Sequence, residues 1–128
     1  MLGFALQREA EDIARRASAS ATGRAAETLL KEGPLRLTLI GLKDGAVIEE
    51  HVAPGPITIQ ALKGSLQVTA GDNTVAVPAG NLVAIEANLR HSVRSNGESA
   101  LLLTLHMPEN ASEFEPPVAH TDSSSTID

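Results

Sequence analysis

The chain has 128 residues, 42% of them hydrophobic and 20% charged, a size for one hydrophobic core and a composition too apolar for disorder and too interrupted for a membrane span. It has no Cys, Trp or Tyr and only Phe4 and Phe114, which excludes disulfides, thiolate metal sites, cysteine nucleophiles and phenol chemistry and leaves few flat rings to stack on bases or sugars. The net charge of −6 divides as +1 over 1–24, −2 over 25–107 and −5 over 108–128, so there is no basic footprint for nucleic acid.

The apolar opening from Met1 to Leu6 is short and runs into Gln7-Arg8-Glu9, unlike a secretory leader, so a cytoplasmic protein with no membrane partner is expected. From Leu2 to about Ser18, the residues Leu6, Ala10, Ile13, Ala14 and Ala17 recur at three- and four-residue steps among charged ones, which predicts an amphipathic helix. The small polar run Ser18 to Gly23 reads as a linker. Residues 1–23 are thus a helical arm and linker.

Over 24–107 short β-prone runs are separated by turn chemistry, including Gly33-Pro34, Asp44-Gly45, Pro54-Gly55-Pro56, Gly71-Asp72-Asn73 and Asn96-Gly97. Such punctuation predicts an all-β sandwich or barrel. Leu35, Leu37 and Leu39 alternate with Arg36 and Thr38, and Leu66, Val68 and Ala70 with Gln67 and Thr69, so each run has an inside and an outside set. The run Ala100 to Leu105 is apolar on both faces. It is expected to lie between the barrel core and a partner sheet or subunit, which favours a homodimer. Residues 108–128, acidic and rich in Pro and Ser, are expected to form an extended or disordered tail.

Two stretches carry the chemistry. The first, Gly45 through His51, Ala53, Pro54-Gly55 and Ile57 to Gly64, resembles the first motif of the cupin superfamily, in which His-x-His and a Glu stand between two glycines. The second, Gly80 through Glu86, Asn88 and His91 to Ser95, resembles the second cupin motif. The resemblance covers about residues 25–107 and implies a jelly-roll β-barrel (a double-stranded β-helix) preceded by the helix. It also implies a dimer, as is common among small cupins. In metal-binding cupins three His and one Glu hold a divalent transition metal. Here Ala53 and Ile57 occupy two of those positions, Glu86 and Asn88 stand where Pro and Gly are usual, and Ser95 replaces an Asn.

Strand parity sends His51 and His91 toward one interior. Two imidazoles fall short of the three or four donors of a divalent site, so a metal would need a further ligand. His106, on one face with Leu102 and Thr104, is the tentative third metal residue beside His51 and His91, and Glu49 is another candidate. The expected function is binding of a small organic molecule in an aliphatic pocket formed by His51, Ile57, Ile59, His91 and Val93, with Val47 and Ala61 nearby and no metal required. The alternative is a metal-dependent oxygenase or isomerase using His51, His91 and His106. Glu49 and Glu50 face opposite ways and form no acid/base dyad. Arg90, at a turn, is a solvent-exposed group that an anionic ligand would favour. His120 lies in the tail and has no expected role.

Overall fold

A computed structural model describes residues 1–109. The segment expected to be a loose tail lies, from 110 onward, outside the described residues. Helix α1 (Leu6–Ala19) begins four residues after the expected start at Leu2, ends one residue past Ser18, and buries Ala10, Ile13, Ala14 and Ala17. It stops where Ser20 turns extended, and Gly23, at φ +74°, bends the chain into the sheet.

Seven strands follow: β1 (Arg24–Glu32), β2 (Leu35–Leu42), β3 (Val47–His51), β4 (Ile57–Ala70), β5 (Asn73–Pro78), β6 (Leu82–Ile85) and β7 (His91–His106). All pair antiparallel in the order β1-β2-β7-β4-β5, with β3 also on β7 and β6 also on β4. The two long strands, β4 and β7, pair with each other and change outer partners halfway. β4 pairs with β6 through Ile57–Gln60 and with β5 through Ser65–Ala70. β7 pairs with β3 near His91 and with β2 from Ser99 onward. Sharing one strand pair between two sets of neighbours folds the sheet over on itself, the arrangement of a jelly roll. The corner lies at Gly64, whose φ of +72° suits glycine. A Cβ there would stand 2.5 Å from the Glu98 carbonyl oxygen and 2.6 Å from Ser99 Oγ.

The barrel core is aliphatic, built from Ile40, Leu42, Ile48, Leu66, Val68, Leu101 and their neighbours. A second cluster lies on the outer face, where Ala10, Ile13, Ala14 and Ala17 of α1 cover Ala25, Leu39 and Ala100. On β2, therefore, Ile40 and Leu42 point inward while Leu39 is fully buried beneath the helix. The strand that is apolar on both faces has a cover the chain itself supplies: α1 seals Ala100, whereas Leu102 stays half-buried. Small residues let the helix settle close, and Gly41 is the contact point. A Cβ on it would lie 2.3 Å from the Ile13 carbonyl oxygen. Among the described residues no helix is long and apolar enough to cross a membrane.

Candidate functional site

The pairing of β3 with β7 sets His51 opposite His91. Their ring centroids are 4.2 Å apart with planes at 62°, an edge-to-face contact. His91 is 2% exposed and His51 is half-buried. Each ring is fixed by its own strand, His51 Nδ1 lying 2.8 Å from the Glu49 carbonyl oxygen and His91 Nδ1 2.9 Å from that of Leu89. A carbonyl can only accept, so Nδ1 carries the hydrogen in both rings, and Nε2 of each neutral imidazole is left as an acceptor. Burial pushes the His51 pKa below its ordinary value. The Glu49 carbonyl opposes that shift and the neighbouring His91 reinforces it.

A bulge makes the pair. Ile48 pairs with Val93 and His51 with His91, and the register slips between them. The extra residue lets Ile48 and His51 face the interior together. Val47, expected to line the cavity, instead lies opposite the exposed Arg94 and is half-buried, and Ile48 takes its place in the core. Periodicity alone gives no sign of this slip.

The turn into β7 tolerates its unusual residues. Asn88 adopts φ +66°, a left-handed conformation that Asn accepts more readily than other non-glycine residues. Its N–H donates to the Ala53 carbonyl at 2.9 Å. Beyond His91 and Val93, Ser95 is buried with Oγ 2.6 Å from the Gly97 carbonyl oxygen and 2.8 Å from Ser99 Oγ. Ser99 in turn lies 3.2 Å from the Ser65 carbonyl oxygen. These hydroxyls bind the corner together and are satisfied within it.

Ile57, Ile59 and Val93 are buried in the barrel core together with Ala61. Ala53 and Ile57, each 4% exposed, belong to the same apolar cluster. Glu49 and Glu50 are exposed, and Glu50 pairs with Arg90 at 3.5 Å.

His106 does not join the other histidines. It is exposed at the far end of β7, opposite Leu35, on the face it shares with Leu102 and Thr104. That face is the outside of the barrel, since the buried Leu101, Leu105 and Met107 take the inward parity. There His106 borders an open groove of about 560 Å³ with Leu35, Thr58, Ala84, Glu86 and Thr104. Among the described residues no three His, Cys, Asp or Glu side chains are grouped to hold a metal ion. Two imidazoles facing aliphatic walls do not fit a resident divalent cation.

Among curated proteins no sequence matches the chain. Solved structures share its fold. A conserved protein of unknown function from Streptococcus pyogenes superposes with a TM-score of 0.65 at 23% identity, over 73% of this chain and 85% of that one. A cupin superfamily protein from Desulfitobacterium hafniense gives 0.64 at 16% identity, over 66% and 78%. Salicylate 1,2-dioxygenase from Pseudoaminobacter salicylatoxidans, solved as adducts with gentisate, gives 0.63 at 17% identity, over 67% of this chain and 25% of the enzyme. At such identities the likeness extends to the fold alone. A family profile described as a cupin domain matches residues 38–116, a span that takes in both histidines and the long strands that share the two halves of the barrel. By that match the chain belongs to the cupin domain family.

Proposed function

We propose that this barrel binds a small organic molecule at the His51–His91 pair, and that the ligand is a neutral group offering hydrogen-bond donors. The observation that carries the reading is the shared tautomer. With both Nδ1–H groups directed to backbone carbonyls, the neutral pair has two Nε2 acceptors and no free donor. A hydroxyl or amide N–H satisfies such acceptors, whereas a carboxylate would first require a ring to take up a proton. Burial holds His51 toward its neutral form. The aliphatic walls Ala53, Ile57, Ile59 and Val93 suit a largely apolar body.

In this reading the protein acts by binding. A metal-dependent oxygenase or isomerase would need a third donor, and His106 faces the outside of the barrel. A second copy of the chain remains the proposed macromolecular partner. It is supported by Leu35 and Leu82, which stay 39% and 52% exposed on the outer face of the barrel, and sedimentation equilibrium tests it.

The ligand reading is tested by a ligand-observed NMR screen with phenol, catechol and benzamide, with benzoate as the anionic control. Saturable binding of the neutral donors at pH 7.5, lost in His51→Ala and His91→Ala, supports it. Stoichiometric transition metal in protein purified without added metal, lost in the double variant, would overturn it in favour of the metal-dependent alternative. Preferential binding of benzoate would overturn the ligand class.

A further inference from the structure

The outer face of the barrel where β2, β7, β4 and β6 lie side by side carries complementary groups on the two flanks of β4. Thr58 stands between Thr104 of β7 and Ala84 of β6, and Gln60 stands between Leu102 and Leu82. One step nearer the rim, the Pro56 carbonyl accepts the His106 N–H at 3.1 Å on one flank, and on the other Glu86 follows Ile85, which pairs with Ile57. These side chains take the outward parity, because Ile57, Ile59, Ile85 and Leu105 are in the core. Helix α1 covers the far end of the face at Leu39 and Ala100. Nearer the rim the face is open: Leu82 is 52% exposed, Ala84, Glu86 and His106 are exposed, and Leu102 and Thr104 are half-buried. Among the described residues neither Glu86 nor His106 makes an ion pair.

The two flanks fit each other when one copy of the face is laid on another. A twofold axis running along β4 between two facing sheets brings each β6 residue of one copy over the β7 residue in the same row of the other. Leu82 then meets the second copy's Leu102, Ala84 its Thr104 and Glu86 its His106, and every contact is made twice. Thr58 and Gln60 lie on the axis and meet themselves, which suits a hydroxyl and a primary amide because each both donates and accepts. Moving the axis one strand over, onto β7, loses the fit. It would set Glu86 against Glu32, the residue opposite Leu35 on β1, and Gln60 against Leu39, which α1 already covers.

We propose that this face is the contact surface of a symmetric homodimer whose twofold axis runs along β4. Leu82 against Leu102 supplies its apolar centre, and His106 against Glu86 on either side of the axis fixes the register. The surface rests on the proposed second copy as partner and specifies its face, axis and pairing.

The chain has no cysteine, so a single Thr58→Cys or Gln60→Cys in the full-length protein reports on its own symmetry mate. Sheets packed face to face lie about 10 Å apart, within reach of a short bis-maleimide. Both variants are expected to give covalent dimers with that reagent at concentrations where sedimentation equilibrium shows association. Ala76→Cys, exposed on β5 opposite Gln67, is expected to stay monomeric on denaturing gels. Leu82→Glu should weaken association about a hundredfold, as each dimer holds that contact twice, and His106→Glu about tenfold by setting carboxylates face to face. Adding Glu86→Lys to His106→Glu should restore the parent affinity. The three positions are exposed, so the barrel stays folded in these variants, which circular dichroism checks. A dimer that crosslinks through Ala76→Cys and not through Thr58→Cys or Gln60→Cys, or that keeps its affinity in Leu82→Glu, overturns this surface and leaves the second copy as partner. A monomer at every concentration overturns both and leaves the face to a partner of other chemistry.

Discussion

His51 meets His91 edge to face at 4.2 Å, and neither ring has its Nδ1 available to the other because each is bonded to a carbonyl of its own strand. A proton added to His51 places a cation in a half-buried position beside a second imidazole. Its folded pKa therefore lies below the ordinary 6.5. Because the unfolded chain takes up that proton first, the stabilisation is complete above about pH 6.5 and is lost as pH falls through the lowered folded value. Urea midpoints measured from pH 8 to pH 5 should fall on the acid side, and His51→Gln should flatten that part of the curve. An unchanged slope in the variant would mean that His51 does not hold its lowered pKa in the folded protein.

Asn88 stands in the turn that delivers His91, at φ +66° and tied to Ala53 through its N–H. A glycine there keeps both the conformation and the N–H. Asn88→Gly should leave stability within about 0.5 kcal/mol of the parent, whereas Asn88→Val should cost about 1–2 kcal/mol because a β-branched residue resists the left-handed region. Chemical denaturation checks the energies. The His91 ring signals should stay in place for the glycine variant and move for the valine.

Much of the fold was legible because its signals are local. The alanine stripe of α1, the turn residues and the period-two strands each announce their element in a few neighbouring residues, and the two glycine-bounded motifs set His51 and His91 in matching positions. What stayed hidden depends on which side of a strand becomes the interior. Leu35, Leu37 and Leu39 look like a core set, yet Leu39 is buried under α1 on the outside while Thr38 and Ile40 face in. The run Ala100 to Leu105 is apolar on both faces, so parity could not show that His106 shares the outer one. The slip between Ile48 and His51 leaves no trace in composition, and it exchanges Val47 for Ile48. The same inversion turns Arg36, which alternates with those leucines, to the side of Thr38 and Ile40, and its Nε is buried without a hydrogen-bond partner among the described residues.

Gly41 and Ile13 set the distance between α1 and the barrel. The carbonyl of Ile13 occupies the space that a side chain at 41 would need, 2.3 Å from an added Cβ, and backbone cannot yield as a flexible side chain does. Gly41→Ala should destabilise the protein by about 1–3 kcal/mol through forced displacement of the helix. Ile13→Ala, which empties a fully buried position, should cost about 2–5 kcal/mol. The two differ in hydrogen exchange: Gly41→Ala should expose the amides of α1 selectively, because the helix is lifted while the barrel ladder is kept. Protection of α1 equal to that of the parent would show that the contact at 41 relaxes without moving the helix.

Ala53 lies two residues beyond His51, in the apolar cluster of the barrel core. It is buried, and its carbonyl accepts from Asn88 N–H at 2.9 Å, which fastens it to the turn before His91. Ala53→His should bind Ni²⁺ at least about tenfold more tightly than the parent in calorimetric titration, since one added imidazole moves the donor set from two toward the three that an open site requires. Without metal the larger side chain should cost about 1–3 kcal/mol by overpacking, and saturating Ni²⁺ should restore stability because it binds only the folded form. His106→Ala is the matched control and should leave Ni²⁺ affinity unchanged in both backgrounds, because that ring lies on the opposite face of β7. If His106→Ala weakened the metal and Ala53→His did not strengthen it, the third donor would come from the outer face and His51 and His91 would not share an interior with Ala53.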